Sequence, residues 1–124
     1  MKSQLLGLVL VSTSLASVAQ LVPKTFPEGA AVLTPETFNS KVAGRSFSGV
    51  RSDGVDMRMD INKDGTLIWY ARGASDQGKW RLEGDKFCQD LPRFGSTCNE
   101  FRIGENAVYY KRLSTGEVLT LKLR

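Results

Sequence analysis

Alternating apolar and polar residues dominate the chain from about residue 46 onward. In the clearest segment Met57, Met59 and Ile61 alternate with Arg58 and Asp60, so one face of a strand is apolar and the other is charged. Similar segments recur to the end of the chain, separated by short stretches rich in glycine, asparagine and aspartate. We predict strands at about 46–51, 55–61, 66–72, 79–83, 86–91, 100–103, 107–113 and 119–123.

The connections between these strands are too short to contain a crossover helix. Asn62-Lys63-Asp64-Gly65, for example, has the composition of a tight hairpin turn. Strands that are neighbours in sequence should therefore pair antiparallel. Roughly eight short strands in succession predict a mostly β fold, an up-and-down antiparallel meander that closes into a small barrel or forms a closely related sandwich.

One helix is predicted before the first strand. Thr34 is a favourable N-cap and a proline follows it, at the position where proline fits a helix start. Leu33 and Phe38 have the spacing of a hydrophobic staple across that cap, and Gly44 is a candidate C-cap. These signals predict a short helix at about 35–43, which is expected to lie against a larger body because it has few apolar residues.

The first nineteen residues have the pattern of a cleaved secretory signal. One lysine precedes an apolar run over 5–11, and Ser17-Val18-Ala19 is a small-x-small cleavage site. Polar residues at 12–14 interrupt the run well short of the roughly 20 apolar residues that a membrane span needs. We predict a signal peptide at 1–19, an extended arm at 20–32, a single domain at 33–124, and a periplasmic or secreted location.

Composition restricts the chemistry of this domain. The chain has 124 residues, with 17 lysines and arginines, 13 acidic residues, two cysteines and no histidine. Without histidine there is no Ser-His-Asp or Cys-His catalytic set, and a mildly basic exported protein is not expected to bind nucleic acid. In an oxidising compartment Cys88 and Cys98 are predicted to form a disulfide, and a zinc site would lack its remaining ligands. We expect no cofactor and no metal.

No nucleophile with an adjacent base is visible in the sequence. Asp56 and Asp60 share a strand face but lie about 13 Å apart along it, which is wider than a glycosidase pair requires. The segment Asp60–Gly65 matches the start of a calcium loop, but Ala71 stands where that loop needs a bidentate glutamate. A hairpin turn accounts for the same residues. We therefore expect a protein that is not an enzyme.

One group of candidate residues is apolar and aromatic. Trp80 shares a strand face with Leu82, and such a ring could either form the floor of a pocket or plug one end of a barrel. Tyr109-Tyr110 is an adjacent pair, so one ring faces inward and the other outward. The candidate pocket or core residues are Trp80, Leu82, Phe101 and Tyr109.

A second group of candidate residues is basic. If neighbouring strands align these residues, they form a face that could bind an anionic polysaccharide, lipid headgroups or an acidic protein. The alternative is an ordinary solvated surface, because acidic residues are interspersed. The candidates for this basic face are Arg58, Lys79, Arg81 and Lys111.

The order of these features resembles a known group of proteins. The predicted helix opens with Leu33-Thr34-Pro35-Glu36, and Gly78-Lys79-Trp80-Arg81-Leu82 runs into Gly84-Asp85-Lys86-Phe87-Cys88 and then Cys98. Over about 33–124 this layout is similar to small exported proteobacterial proteins of uncharacterised function, built around a G-x-W strand and a cysteine pair. The resemblance implies a lipocalin/calycin-like barrel and an exported location, and it brings no established catalytic residues.

Together these features predict a non-enzymatic exported binding protein that recognises a small apolar ligand or an envelope partner. The alternative is an inhibitor of a secreted or periplasmic hydrolase, a protease or a lysozyme, with the arm at 20–32 inserted into the enzyme cleft. A third interpretation is a structural envelope protein that contacts the cell wall through the basic face. No membrane span is expected after signal cleavage.

Overall fold

The structure, a computed structural model, describes residues 22–124, and the predicted signal peptide lies outside the described residues. Nine strands and one helix occur in this part of the chain. Their order is β1 (Ala31–Val32), α1 (Pro35–Lys41), β2 (Arg45–Val50), β3 (Asp56–Ile61), β4 (Thr66–Ala71), β5 (Ala74–Glu83), β6 (Lys86–Leu91), β7 (Gly95–Ile103), β8 (Ala107–Lys111) and β9 (Val118–Leu123).

Eight of these strands form a closed antiparallel barrel. Strands β2 to β9 pair in sequence order, and β9 returns to β2 through the Phe47–Leu123 and Ser48–Lys122 pairs. The short strand β1 is additional and pairs with the last two residues of β7, beyond the Lys86–Glu100 pair where the pairing of β6 with β7 stops. The predicted fold class is confirmed, and the barrel is the correct one of the two predicted architectures.

Helix α1 begins with the cap predicted from the sequence. Thr34 Oγ1 accepts a hydrogen bond from the Thr37 amide at 3.2 Å, and Thr37 Oγ1 accepts one from the Thr34 amide at 3.1 Å. This reciprocal pair is a complete capping box. The helix ends at Lys41, slightly before the predicted end, with Val42 as its C-cap, and Gly44 follows in a left-handed conformation with φ 83°.

The barrel has two different ends. Helix α1 and the loops at 62–65, 84–85 and 104–106 lie at one end, which we call the closed end. The loops at 51–55, 72–73, 92–94 and 112–117 lie at the other, which we call the open end.

Aromatic side chains fill the closed end. The ring of Phe38, on α1, lies 4.7 Å from Trp80, 5.7 Å from Phe87 and 6.2 Å from Phe101, measured between ring centroids. Phe38 is fully buried in this cluster. The helix therefore seals the barrel by inserting one aromatic side chain, which explains why so short a helix is stable against the larger body.

The described part of the N-terminal arm is attached to the outside of the barrel. The Val118 amide donates to the Pro23 carbonyl at 2.7 Å, and the Arg102 guanidinium lies 5.2 Å from the centre of the Phe26 ring. Strand β1 then adds to β7. From residue 22 onward the arm therefore lies along the wall of β7 to β9 and not across an end.

The predicted disulfide is present. Cys88 and Cys98 are directly opposed in β6 and β7, with an S–S distance of 2.10 Å. This bond is compatible with an exported protein. Within residues 22–124, no helix has the length and apolar character needed to cross a bilayer.

Candidate ligand-binding site

A cavity of about 550 Å³ opens at the open end of the barrel. Met57, Leu91 and Leu119 contribute apolar walls, and Trp69 and Tyr110 lie among its deeper lining residues. Small-molecule sites are concave, mostly apolar and about 300–1,000 Å³ in volume. The cavity therefore has the size and composition of a ligand site.

The cavity exists because the inward-facing residues change along the strands. On β5 the inward position is Trp80 near the closed end and becomes Asp76 and Ala74 toward the open end. On β7 the inward position changes in the same direction, from Phe101 to Asn99. Smaller or polar side chains cannot fill the interior as the aromatic rings do, so space remains on one side only.

The inner part of the cavity is lined by a chain of hydrogen bonds. Trp69 Nε1 donates to Gln89 Oε1, and Gln89 Nε2 donates to the Tyr110 hydroxyl at 3.3 Å. The Thr97 hydroxyl lies 3.5 Å from the same oxygen. Burial raises the pKa of Tyr110, so its phenol is neutral at physiological pH. These hydrogen bonds fix the side chains at the inner end of the cavity, which we call its polar floor. The same groups offer polar atoms to a bound molecule.

Asn99 is the least satisfied polar residue in this lining. Its side chain is 2% exposed, and its Nδ2 donates to the Lys111 carbonyl at 2.9 Å. Its Oδ1 is the one buried side-chain nitrogen or oxygen atom among residues 22–124 that has no hydrogen-bond partner. Buried polar atoms are almost always paired. An acceptor without a partner in the wall of a cavity favours a site that receives a hydrogen-bond donor.

Two buried carboxylates hold the loops around the cavity mouth. Asp76 Oδ2 accepts hydrogen bonds from the Arg93 and Phe94 amides at 2.6 and 2.8 Å. Glu117 Oε2 accepts one from the Ser52 amide at 2.9 Å, which joins the loop at 51–55 to the loop at 112–117. These bonds fix the loops by polar contacts instead of apolar packing.

Three of the four candidate pocket or core residues belong to the core and not to the cavity. Trp80, Leu82 and Phe101 pack at the closed end, and the Trp80 indole donates to the Asn62 carbonyl at 2.8 Å. Tyr109 points outward, because it alternates along β8 with buried Val108 and Tyr110. The structure therefore differs from the prediction at this position: the tyrosine that faces the cavity is Tyr110.

The predicted basic residues do not form one face. Arg58 is on β3, Lys79 and Arg81 are on β5, and Lys111 is on β8, so they are distributed around the barrel. Carboxylates also pair with most of them: Arg58 with Asp60 at 2.8 Å, Arg81 with Asp90 at 2.7 Å, and Lys111 with Glu100 at 3.6 Å. Lys79 is exposed. This distribution corresponds to the solvated surface that was the alternative.

The segment resembling a calcium loop is a hairpin turn between β3 and β4. Asp64 Oδ1 accepts hydrogen bonds from the Thr66 amide at 3.0 Å and the Thr66 hydroxyl at 2.6 Å, and these bonds lower the pKa of Asp64. The Asp60 carboxylate pairs with Arg58. The carboxylate oxygens that would bind a cation are therefore occupied by hydrogen bonds within the turn and by the ion pair with Arg58.

The polar residues of the cavity were not among the sequence candidates, although a signal for them existed. Phe87, Gln89 and Leu91 alternate along β6 and share one face. An inward-facing glutamine between two apolar residues indicates a polar group inside the barrel. Asn99 and Asp76 can be placed in the same way once the strand register is known.

Comparison with known proteins gives no assignment, because neither a protein-family model nor a curated protein matches this chain. The resemblance to small exported proteins of uncharacterised function therefore stays a prediction. The function has to be argued from the cavity and the loops around it.

Proposed function

We propose that this protein is an exported binding protein that holds a small, largely apolar ligand in the cavity at the open end. The observation that supports the proposal is the cavity itself. It combines apolar walls with a few oriented polar groups, the composition typical of small-molecule sites. A closed barrel supplies a rigid wall around it, which limits the entropy lost on binding.

The lining groups favour binding over catalysis. They include the amides of Gln89 and Asn99 and the phenol of Tyr110. The two buried carboxylates near the mouth, Asp76 and Glu117, already accept hydrogen bonds from loop amides. No pair of an activated nucleophile and a base is found in this lining, and a non-enzymatic role follows as part of the proposal.

A second candidate function is recognition of an envelope partner by the open-end loops. Phe94 is 42% exposed and Leu113 is 67% exposed, and both lie on these loops, with Val50 (62% exposed) at the adjacent strand end. Exposed aromatic and aliphatic side chains grouped in this way are typical of interaction surfaces. A hydrolase would be one such partner. Insertion of the arm into its cleft is less favoured, because residues 22–32 are bound to the barrel wall.

A fluorescent probe tests the ligand-binding proposal. The full chain, exported and purified from a bacterial host, is titrated with the uncharged probe N-phenyl-1-naphthylamine, excited directly. We expect saturable binding to one site. In Ala74→Trp, a bulky ring at the cavity wall should reduce the affinity at least about tenfold, since it occupies space that the probe needs.

Ala107→Trp is the matched control, because Ala107 is also half-buried but lies at the closed end. This substitution should change the affinity by less than about twofold, which corresponds to a smaller change in binding free energy than the loss of one hydrogen bond. Circular dichroism establishes that both variants are folded. Equal affinities for the wild type and Ala74→Trp would place the probe elsewhere and count against the cavity as the site.

A pull-down with a Phe94→Ala, Leu113→Ala double variant tests the partner alternative.

A further inference from the structure

Charge is distributed unequally between the two ends of the barrel. Each of the four open-end loops carries one arginine, and the loops themselves contain two carboxylates. The loop residues are Arg51, Arg72, Arg93 and Arg112, with Asp53 and Glu117. A third carboxylate, Asp76 on β5, is buried beside them and accepts hydrogen bonds from loop amides. The three closed-end loops have the opposite sign, with Lys63 against Asp64, Asp85 and Glu105. The loops around the cavity mouth therefore carry a positive net charge.

Of these arginines, Arg72 is the one placed to receive a ligand. Arg51 pairs with Asp53, and Arg112 lies 3.5 Å from Glu117. Arg72 lines the cavity, whereas Arg93 does not, and within the described part of the chain no carboxylate reaches Arg72 at salt-bridge distance. It is also exposed. Its guanidinium is therefore available at the cavity mouth.

The backbone at Arg72 fixes this placement. Ala71 pairs directly with Ala74, so Arg72 and Gly73 form a two-residue hairpin loop. Arg72 has φ 55° and Gly73 has φ 72°, the left-handed conformations of a type I′ turn. Arg72 is the one residue other than glycine with positive φ among residues 22–124. Asparagine or glycine would suit this position better on local grounds, so arginine occupies it at a conformational cost.

The inner end of the cavity limits the size of the ligand. Below the polar floor the barrel is filled by Phe87, Phe101 and the rest of the aromatic cluster. A long acyl chain would therefore press its apolar end against this polar lining, and Asn99 Oδ1 would stay buried without a donor, which costs free energy. A compact molecule with a polar group at its inner end avoids that cost.

We propose that the cavity binds a compact organic anion, with one or two rings or a short aliphatic body. Its acid group pairs with Arg72 at the mouth, because guanidinium matches the geometry of carboxylate and similar groups. Its apolar body contacts Met57 and Leu119, and a hydrogen-bond donor at its inner end faces the region of Asn99. This inference rests on the proposed function and adds the charge of the ligand.

Two probes that share one skeleton separate the two proposals. 1-Anilinonaphthalene-8-sulfonate differs from N-phenyl-1-naphthylamine only by its sulfonate group. The wild-type protein should bind the anion about tenfold more tightly than the uncharged parent, the difference expected for one charge-assisted contact. Raising the ionic strength should weaken binding of the anion and leave the parent unchanged, since only the first carries charge.

Arg72→Asn is the variant of choice, because asparagine tolerates the left-handed conformation and the turn should persist. We expect it to remove the preference for the anion while affinity for the uncharged probe stays within about twofold. Arg45→Gln is the control, because Arg45 is an exposed arginine at the closed end, and it should change neither affinity. Arg72→Lys should retain part of the preference, since it keeps the charge without the fork of donors.

The outcomes are distinct. Binding of both probes with equal affinity, unchanged in Arg72→Asn, overturns the anion proposal and leaves the cavity as an apolar site. Binding of neither probe overturns the proposed function and this inference with it. A preference for the anion that Arg72→Asn retains and Ala74→Trp removes would place the anion in the cavity but away from Arg72, and this also overturns the assignment.

Discussion

At the closed end of the barrel, Phe38 packs against Trp80, Phe87 and Phe101, whereas at the open end Asp76 and Glu117 accept hydrogen bonds from loop amides. The same eight strands run through both ends. Aromatic burial stabilises one end in a non-directional way, and oriented polar bonds fix the shape of the other.

This difference shows how a small barrel can keep a cavity. An apolar interior that is half empty would lose packing contacts along the whole strand. Here the aromatic cluster concentrates the packing at one end, where the described helix also lies. The open end keeps its shape because buried carboxylates connect its loops. We therefore expect substitutions at the closed end to affect mainly stability and substitutions at the open end to affect mainly binding.

The largest effect should come from Phe38→Ala. Phe38 is fully buried, and truncation of such a residue removes apolar burial and leaves a void, so we expect a loss of about 3–5 kcal/mol in the free energy of unfolding. Urea denaturation followed by tryptophan fluorescence measures it. Probe affinity of the fraction that remains folded should stay close to that of the wild type.

Phe94→Ala is the control at the open end. Its ring is 42% exposed, so the loss of stability should be about 0.5 kcal/mol or less. Equal destabilisation by Phe38→Ala and Phe94→Ala would remove the basis for treating the two ends differently.

A smaller effect on stability, but a larger one on binding, is expected from Asp76→Ala. The substitution leaves the Arg93 and Phe94 amides without their acceptor, and loss of hydrogen bonds to a charged group costs about 2 kcal/mol. The loop at 92–94 should then leave the cavity wall, to which Phe94 contributes. Calorimetry and probe titration measure the two effects on the same sample.

Asp85→Ala is the comparison for that variant, because Asp85 is an exposed aspartate in a closed-end turn. It should change neither stability nor affinity appreciably. If Asp76→Ala unfolds at a lower denaturant concentration but binds the probe normally, the carboxylate contributes to stability alone and does not shape the mouth.

Local signals in the sequence were sufficient for the fold but not for the site. Thr34 and the strand alternation act over a few residues, and the helix start and the number of barrel strands follow from them. Two strands are longer than predicted, because β5 begins at Ala74 and β7 at Gly95, each five residues before the predicted starts at 79 and 100. The cavity depends on which inward positions of different strands meet, and that depends on barrel register, which side-chain type alone does not determine. Gln89 therefore has the character of an ordinary polar strand residue until the register places it inside, and Asn99 lies outside the strand predicted at 100–103.

The choice between Tyr109 and Tyr110 illustrates the same limit. Adjacent residues on a strand face opposite sides, so the sequence requires one ring inside without specifying which. Pairing of β8 with β7 and β9 fixes the answer by placing Tyr110 beside Phe101 and Leu119. Because the two side chains are identical, only the long-range strand register distinguishes the inward tyrosine from the outward one.

The smallest expected effect concerns Tyr110 and pH. Burial raises the pKa of Tyr110 above its usual value near 10, so the fold favours the neutral phenol. The stability that this preference contributes is complete below about pH 10, the pKa in the unfolded chain, and is lost as the pH rises through the higher pKa of the folded state. At neutral pH, Tyr110→Phe should cost only about 1 kcal/mol, because it removes the acceptor of the Gln89 amide. Above pH 10 the wild type should lose stability more steeply than this variant, and the difference between them should shrink.

Tyr109→Phe should keep the wild-type alkaline profile, because Tyr109 faces outward. Denaturant unfolding at a series of pH values between 9 and about 11, with short exposure times, measures all three proteins. Parallel profiles for the two tyrosine variants would show that the alkaline transition arises outside the cavity floor.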